Sequence, residues 1–344
     1  MAKILVTGGC GYIGSHTLVD LIDNGFEVVS ADNHYNSAPS VLDGIEKITQ
    51  KRVKNYNINL CDLAATKQIF VDHPDIVGVI HFAALKAVGE SVEKPLLYFQ
   101  NNLGSLLNIL ECMKEFDVKN LIFSSSCSAY GNADELPVTE DTPFKEAESP
   151  YARTKQMGEY ILQDFAKKYT DFNCISLRYF NPAGAHESAI IGESPTNNAS
   201  NLVPVITGTA IGNRESFTVF GTDYDTRDGS CIRDYIHVMD LANAHTKAME
   251  FVVSGKNEKN SDVFNLGIGA GVSVIEAITA FEKVNDIKLN YELGPRRAGD
   301  VIAIYANFEK AAKLLGWQPK RDIDDIMRTA WEWEKVRSEV VGSL

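Results

Sequence analysis

The first half of the chain reads as short apolar runs separated by longer segments of mixed polarity. The runs, at 3–7, 26–31, 54–58, 78–83, 120–125 and 173–178, have the length and composition of strands. The segments between them, at 14–24, 40–50, 64–72, 94–116 and 152–168, read as helices. Strand and helix in alternation predict right-handed βαβ units and a parallel sheet covered on both faces, a doubly wound α/β fold. The run Ile80-His81-Phe82-Ala83-Ala84 ends in small residues. These leave room for a ligand across the carboxyl edge of the sheet, although packing alone accounts for Ala83 and Ala84 nearly as well.

After Arg178 the pattern changes. Asn181-Pro182 breaks the strand, and residues 184–201 are rich in Ser, Asn, Gly, Glu and Pro. That composition is a loop signal, and a loop so long in a compact domain is usually functional or mobile. Shorter mixed elements follow, with helices at 203–212, 238–253, 273–284 and 323–336 and a strand at 217–220.

The turn after the first strand carries candidate chemistry. Thr7-Gly8-Gly9-Cys10-Gly11-Tyr12-Ile13-Gly14 lies between a strand and a helix. Gly9-x-Gly11-x-x-Gly14 fits the dinucleotide fingerprint, and Gly8-x-x-Gly11-x-x-Gly14 fits its close variant. Glycine lets the backbone approach a pyrophosphate, which sits on the helix N-terminus where unpaired N–H groups and the dipole favour an anion. The second strand ends at Asp32, where a carboxylate accepts hydrogen bonds from the adenosine ribose and repels a 2′-phosphate. The cofactor expected is therefore NAD rather than NADP. The expected architecture is a doubly wound parallel Rossmann sheet over 1–180 and a smaller C-terminal α/β substrate-binding region over 181–344, with the chain crossing between the two. The length of 344 residues fits about two domains.

Charge and cysteine usage limit the partners. The net charge of −13 argues against nucleic acid or an anionic membrane surface as a partner. No window approaches ~18 consecutive apolar residues, so no membrane span is expected. The N-terminus enters a strand at once, which leaves no room for a signal peptide. Cys10, Cys61, Cys112, Cys127, Cys174 and Cys231 are scattered without CxxC spacing and read as reduced cytosolic thiols. The histidines lack clustered ligand spacing, so no metal is expected.

Tyr151 and Lys155 are four apart at the start of a helix, so both side chains share one face. Alone, such a pair is usually a solvated helix face. Here it follows Phe123-Ser124-Ser125-Ser126, the end of the fifth strand, where a doubly wound sheet gathers its active groups. Ser126 and Tyr151 are expected to meet above the nicotinamide. An ammonium beside a phenol, with the charge of NAD⁺, is expected to lower the phenol pKa from about 10. A tyrosinate is then a general base for a hydroxyl whose carbon gives up hydride, and the serine hydroxyl steadies the same oxygen.

TGGxGYIG, Asp32, Ser126 and Tyr151-x-x-x-Lys155 are together similar to the extended short-chain dehydrogenase/reductase family. Four further segments resemble its UDP-hexose 4-epimerase branch: 85–91, Arg178-Tyr179-Phe180-Asn181-Pro182-x-Gly184-Ala185-His186, Arg233-Asp234-Tyr235-Ile236-His237-Val238-x-Asp240-Leu241, and Pro295-Arg296-Arg297-x-Gly299-Asp300. The likeness runs from residue 3 to about 335. It implies an enzyme that interconverts UDP-galactose and UDP-glucose through a 4-keto sugar, with tightly bound NAD.

The resemblance also implies residue roles. Gly8, Gly11, Tyr12, Ile13, Asp32 and Asn33 would contact the NAD pyrophosphate and ribose, and Asp62 and Leu63 the adenine. Phe82, Ala83, Lys86, Asn101, Ser124, Tyr151, Lys155 and Tyr179 would line the rest of the cofactor. Lys86, Ser126, Ser128, Tyr151, Asn181, Asn201, Leu202, Phe220, Arg233, Arg297, Asp300 and Ile304 would contact the UDP-hexose, with both arginines on the diphosphate. Ile304, where a tyrosine would fill the space an N-acetyl group needs, implies activity on UDP-GalNAc and UDP-GlcNAc as well. The alternatives are a core-facing residue on a short strand, Val301 to Tyr305, and a register one residue on, which places Tyr305 at the gate and reverses the argument.

Helices 94–116 and 152–168 are the ones that pair in the family's dimers, so a homodimer is expected. Leu96, Leu97, Leu103, Leu106, Leu107 and Leu110 exceed what one face against a sheet needs. Two rivals stay in view. A sugar-nucleotide 4,6-dehydratase would need acidic groups just after the serine, where this chain has Cys127 and Ser128. An NAD-sensing regulator would not need Ser126, Tyr151 and Lys155 together.

Overall fold

In the computed structural model the described residues are 2–195, 201–297 and 301–341. Among them the first half runs β1 (Lys3–Thr7), α1 (Tyr12–Asp23), β2 (Glu27–Ala31), α2 (Ser40–Thr49), β3 (Lys54–Tyr56), α3 (Leu63–Asp72), β4 (Ile76–His81), α4 (Val88–Glu93), α5 (Pro95–Glu115), β5 (Asn120–Ser126), α6 (Pro150–Lys168) and β6 (Asn173–Tyr179). The second half adds β7 (Asn181–Ala183), α7 (Leu202–Ala210), β8 (Phe217–Phe220), β9 (Ile232–Arg233), β10 (Tyr235–His237), α8 (Val238–Val253) and β11 (Ser261–Leu266). It ends with β12 (Val272–Ser273), α9 (Val274–Asn285), β13 (Tyr291–Gly294), β14 (Ala303–Ile304), α10 (Glu309–Leu315) and α11 (Ile323–Val341).

Seven strands pair in parallel in the order β11-β6-β5-β4-β1-β2-β3. The order reverses between β1 and β4, and in such a sheet the crevice outside the strands' carboxyl ends at that point receives the ligand. Alternate residues divide between two buried layers. Ile4, Val6, Ile80, Ile122 and Ile175 face α1 and α8 through Leu18, Leu241 and Met249. Leu5, Val29, Val79, Leu121 and Phe123 face α5 and α6 through Leu106, Ile109, Leu110 and Leu162. A third cluster packs α7, α9 and α11 around β8 and β10 through Val203, Ile206, Val219, Tyr235, Phe281 and Met327. No helix among the described residues is long and apolar enough to cross a membrane.

Three features absent from the sequence reading have physical causes. The strand by which the chain rejoins the large sheet, β11, pairs with β6 at the edge, and α8 packs on α1. β11 opens on Ser261-Asp262 with only Val263, Phe264 and Leu266 apolar, so its own pattern is weak and its neighbour decides it. Helix α4 ends before Pro95, because Lys94 precedes a proline and leaves the helical region (φ −128, ψ 57). Apart from β8, which the sequence reading placed at 217–220, the strands of two to four residues in the second half carry no pattern of their own and are defined by pairing.

Candidate active site

Two glycines set the dinucleotide end. Gly8 takes φ +69, and a Cβ there would lie 2.9 Å from Ala83 N, so the turn after β1 fits against the end of β4 only without a side chain. A Cβ on Gly14 would run into the Gly8 carbonyl oxygen, so α1 packs directly on the turn. Gly11 caps α1 without a side-chain hydrogen bond, and no acidic residue sits in its first turn. This is the arrangement of a helix N-terminus that takes an anion. At the end of β2, Asp32 accepts hydrogen bonds from Cys10 N at 3.0 Å, His34 N at 2.8 Å and Ser37 Oγ at 3.1 Å. The carboxylate is thereby fixed beside the glycine turn. These residues fit NAD.

Ser149 caps α6 by accepting from Ala152 N at 3.2 Å, and Pro150 occupies the first helical position. Tyr151 and Lys155 therefore fall one turn apart on the helix that packs on β5. Lys155 Nζ donates to Ser124 O at 2.6 Å and lies 5.8 Å from the Tyr151 ring centre. Ser126 ends β5 opposite Tyr179 of β6. Its Oγ accepts from Ser128 N at 3.2 Å and Ser128 Oγ at 3.0 Å. The Ser124 and Tyr179 hydroxyls bond each other.

The electrostatics differ from the sequence expectation. Burial pushes the Tyr151 phenol up to about 12, against a downward pull from its hydrogen bond with Ser126. The expected lowering by Lys155 is not among the effects on the phenol, whose enclosure outweighs the pull of Ser126. Burial also brings Lys155 down to about 8, opposed by the charge of Glu159.

One cleft of about 1260 Å³ joins this centre to both nucleotide ends. It exceeds the ~300–1,000 Å³ of an ordinary single-ligand pocket. Beyond Tyr151 its wall carries Asn181, Asn201, Leu202, Phe220, Arg233 and Arg297. Arg297 lies over the Phe220 ring at 5.7 Å. Asn181 N donates to Asp234 O at 2.9 Å, which locks β7 to the residue that follows Arg233 at the end of β9.

A family model described as GDP-mannose 4,6 dehydratase matches residues 5–330. The UDP-glucose 4-epimerase of Haemophilus influenzae is 46% identical over 332 residues, 96% of this chain and 97% of that protein. The solved UDP-glucose 4-epimerase of Bifidobacterium longum, in complex with NAD+ and UDP, is similar with a TM-score of 0.92 and 44% identity over 97% of this chain and 98% of that one. The Stenotrophomonas maltophila UDP-glucose 4-epimerase, with NAD and a formylated UDP-arabinopyranose, gives a TM-score of 0.95 at 41% identity, covering 98% of this chain and 99% of that one.

The chain belongs to the UDP-glucose 4-epimerase family. It lies in the extended short-chain dehydrogenase/reductase group, with the Rossmann sheet and C-terminal region that such epimerases share.

Most residues expected of an epimerase line the cleft: Gly8, Gly11, Tyr12, Ile13, Asp32, Asn33, Phe82, Ala83, Lys86, Asn101, Ser124, Ser126, Tyr151, Lys155 and Tyr179, besides the substrate-side residues above. Four do not. Asp62 caps α3 by accepting from Ala65 N at 3.1 Å, and Leu63 is exposed beside it; the cleft wall there is Ile58, Asn59 and Leu60. Ser128 stands behind Ser126 and bonds it. Ile304 is buried in a cluster with Tyr130, Val138, Phe180 and Ala306, of which only Phe180 reaches the cleft. Asp300 lies outside the described residues. Glu193 and Arg214 line the cleft without having been singled out in sequence. Glu193 accepts from Asn201 Nδ2 at 3.2 Å and lies 3.7 Å from Lys86 Nζ. A carboxylate inside a polar loop carries no pattern that would mark it.

Proposed function

We propose that the chain interconverts UDP-galactose and UDP-glucose through a 4-keto sugar, with NAD as resident cofactor. The observation that carries this reading is the placement of Ser126, Tyr151 and Lys155 in one cleft between a dinucleotide cradle and an arginine-bearing wall. Gly8, Gly11, Tyr12 and Ile13 would hold the pyrophosphate of NAD, and Asp32 and Asn33 the adenosine ribose. Phe82, Ala83, Lys86, Asn101, Ser124 and Tyr179 would line the remainder, and Lys155 would hold the nicotinamide ribose. When bound, NAD supplies the two-electron oxidation and re-reduction at C4 of the sugar.

The protein's own task is to place the sugar and to carry a proton. Tyr151 Oη takes the proton of the 4-hydroxyl and later returns it, while Ser126 Oγ steadies the same oxygen. Burial adds to the phenol's ordinary preference for its protonated form near neutral pH. Its basic form is reached when positive charge gathers beside it, and Lys155 carries the protein's share of that charge. Arg233 and Arg297 would hold the diphosphate, Phe220 the uracil, and Asn181, Asn201 and Leu202 the nucleotide sugar. A firmly held UDP and a loosely held hexose let the keto sugar turn over. A dehydratase would require an acid after Ser126 to expel the C6 hydroxyl, and Cys127 and Ser128 offer none.

Ile304 bears on breadth. A tyrosine in its place would overfill the buried cluster and press on Phe180, whereas isoleucine leaves that wall relaxed. We therefore include UDP-GalNAc and UDP-GlcNAc among the substrates. A homodimer fits the exposed apolar residues of α5 and α6: Leu96 at 73%, Leu107 at 51%, Met157 at 38% and Tyr160 at 53%. Light scattering of the purified protein tests it, and a monomer mass would refute it. The six unpaired cysteines fit a reducing compartment such as the cytosol. The test of function is conversion of UDP-galactose to UDP-glucose by purified protein without added NAD. Absence of conversion would overturn the reading.

A further inference from the structure

Tyr151, Lys155 and Glu159 recur every four residues along α6, so the face that carries the candidate catalytic pair continues one turn deeper to a carboxylate. Glu159 is 1% exposed. Ser125 Oγ donates to its Oε1 at 2.5 Å. Arg178 donates to it through both Nε, at 2.9 Å to Oε1, and Nη2, at 2.6 Å to Oε2. Ser125 sits between Ser124, whose carbonyl receives Lys155, and Ser126, which pulls on the Tyr151 phenol. Arg178 precedes Tyr179, the partner of Ser124. Arg178 Nη1 also donates to Tyr130 Oη at 3.0 Å, and that hydroxyl donates to Asn265 Oδ1 at 2.6 Å. One buried carboxylate thus links α6, β5 and β6 directly beneath the site.

We propose that Glu159 is a positioning residue for the candidate catalytic lysine: one turn beyond Lys155 on the same face of α6, its carboxylate ties that helix to β5 through Ser125 and to β6 through Arg178, and so sets Lys155 against the Ser124–Ser126 strand end. The proposal rests on the reading of Tyr151 and Lys155 given above. The groups facing Lys155 support it. On its own helix are Tyr151 and Glu159; from β5 come the Ser124 carbonyl and the Phe123 ring, at 5.1 Å; from β4 comes His81. His81 is buried and held down near 3, so it stays neutral across the working range. Glu159 is the anion whose charge acts on the lysine, against the lowering that burial causes. A buried ion pair of this kind costs desolvation, and packing alone would be served as well by apolar residues.

The test is the pH profile of kcat with UDP-galactose. Wild type should lose activity as pH rises through about 8, where Lys155 gives up its proton. In Glu159→Gln that alkaline limb should move down by at least about one pH unit, with KM changed less than about twofold. Glu159→Asp, which keeps the charge, should leave the limb within about 0.3 unit of wild type. Because Glu159→Gln strands the Arg178 charge, which itself pushes the lysine down, Glu159→Gln/Arg178→Gln is measured beside it and should still lie below wild type, by less than the single variant. A folded glutamine variant with an unmoved limb would overturn the proposal. Failure of both glutamine variants to fold would also overturn it, by assigning the pair to stability alone. Inactivity of the wild type would instead sink the functional reading on which the proposal rests, so the two failures are told apart.

Discussion

Replacing Tyr151 by phenylalanine removes one oxygen from the centre of the cleft and leaves the ring in place. The partner left behind is Ser126 Oγ, which keeps hydrogen bonds from Ser128 N and Ser128 Oγ. Ser126 lines the cleft, where water can take its freed O–H, so the stability cost should not exceed about 1 kcal/mol. The ring contacts and the Lys155 bond to Ser124 O survive, so NAD retention should be unchanged. The reaction loses its proton acceptor, worth about 10²–10⁴ in rate. Each tenfold is ~1.4 kcal/mol, so the barrier should rise by about 3–5 kcal/mol while the fold barely responds. The assay compares kcat for UDP-galactose, the melting temperature and the nucleotide released on denaturation. Turnover within about threefold of wild type at pH 7 would remove Tyr151 from the mechanism, because a loss so small lies well below any general-base contribution.

Three further outcomes are expected. Asp32→Ala should narrow the preference for NAD over NADP by about tenfold or more, ~1.4 kcal/mol, in binding titrations; unchanged discrimination would refute the carboxylate's role. Burial raises the Asp234 carboxyl from 3.8 to about 6 in the folded protein, despite hydrogen bonds from Ile268 N, Gly269 N and Ala306 N. The native state therefore binds more protons than the unfolded chain between those values, so this group's contribution to stability should fall as pH rises from about 4 to 6. Denaturant melts of wild type and Asp234→Asn across that window should differ in slope, and parallel curves would contradict the assignment. Ile304→Tyr should lose kcat/KM on the UDP-N-acetylhexosamine pair more than on the UDP-hexose pair, with about 1–3 kcal/mol of overpacking cost in stability; equal loss on both pairs would refute a role in breadth.

What was legible in the sequence follows the range of the interactions. The glycine turn, Asp32, Ser126 and the Tyr151–Lys155 pair announce themselves because strand ends and helix starts are local, and Ser149-Pro150 marks where α6 begins. Strand β11 did not, since Ser261 and Asp262 dilute its apolar pattern and pairing with β6 decides it. At Asp62 the local role is the one the structure shows: the carboxylate that matched an adenine contact caps α3 through Oδ1. Ile304 was ambiguous between cleft and core because adjacent residues of a strand face opposite ways, and its neighbours Tyr130 and Phe180 come from distant parts of the chain. Glu159 was invisible for the same reason, because its meaning depends on Arg178 and Ser125 meeting it across two strands.

The most direct measurement uses UDP-galactose carrying deuterium at C4, incubated with purified protein and no added NAD, with both the sugar and its label followed by NMR. A resident redox centre served by Tyr151 and Lys155 predicts that UDP-glucose accumulates to an equilibrium mixture with the deuterium still at C4, and that the Tyr151→Phe protein makes almost none. No conversion by wild type, or conversion with the label washed out into solvent, would contradict the account.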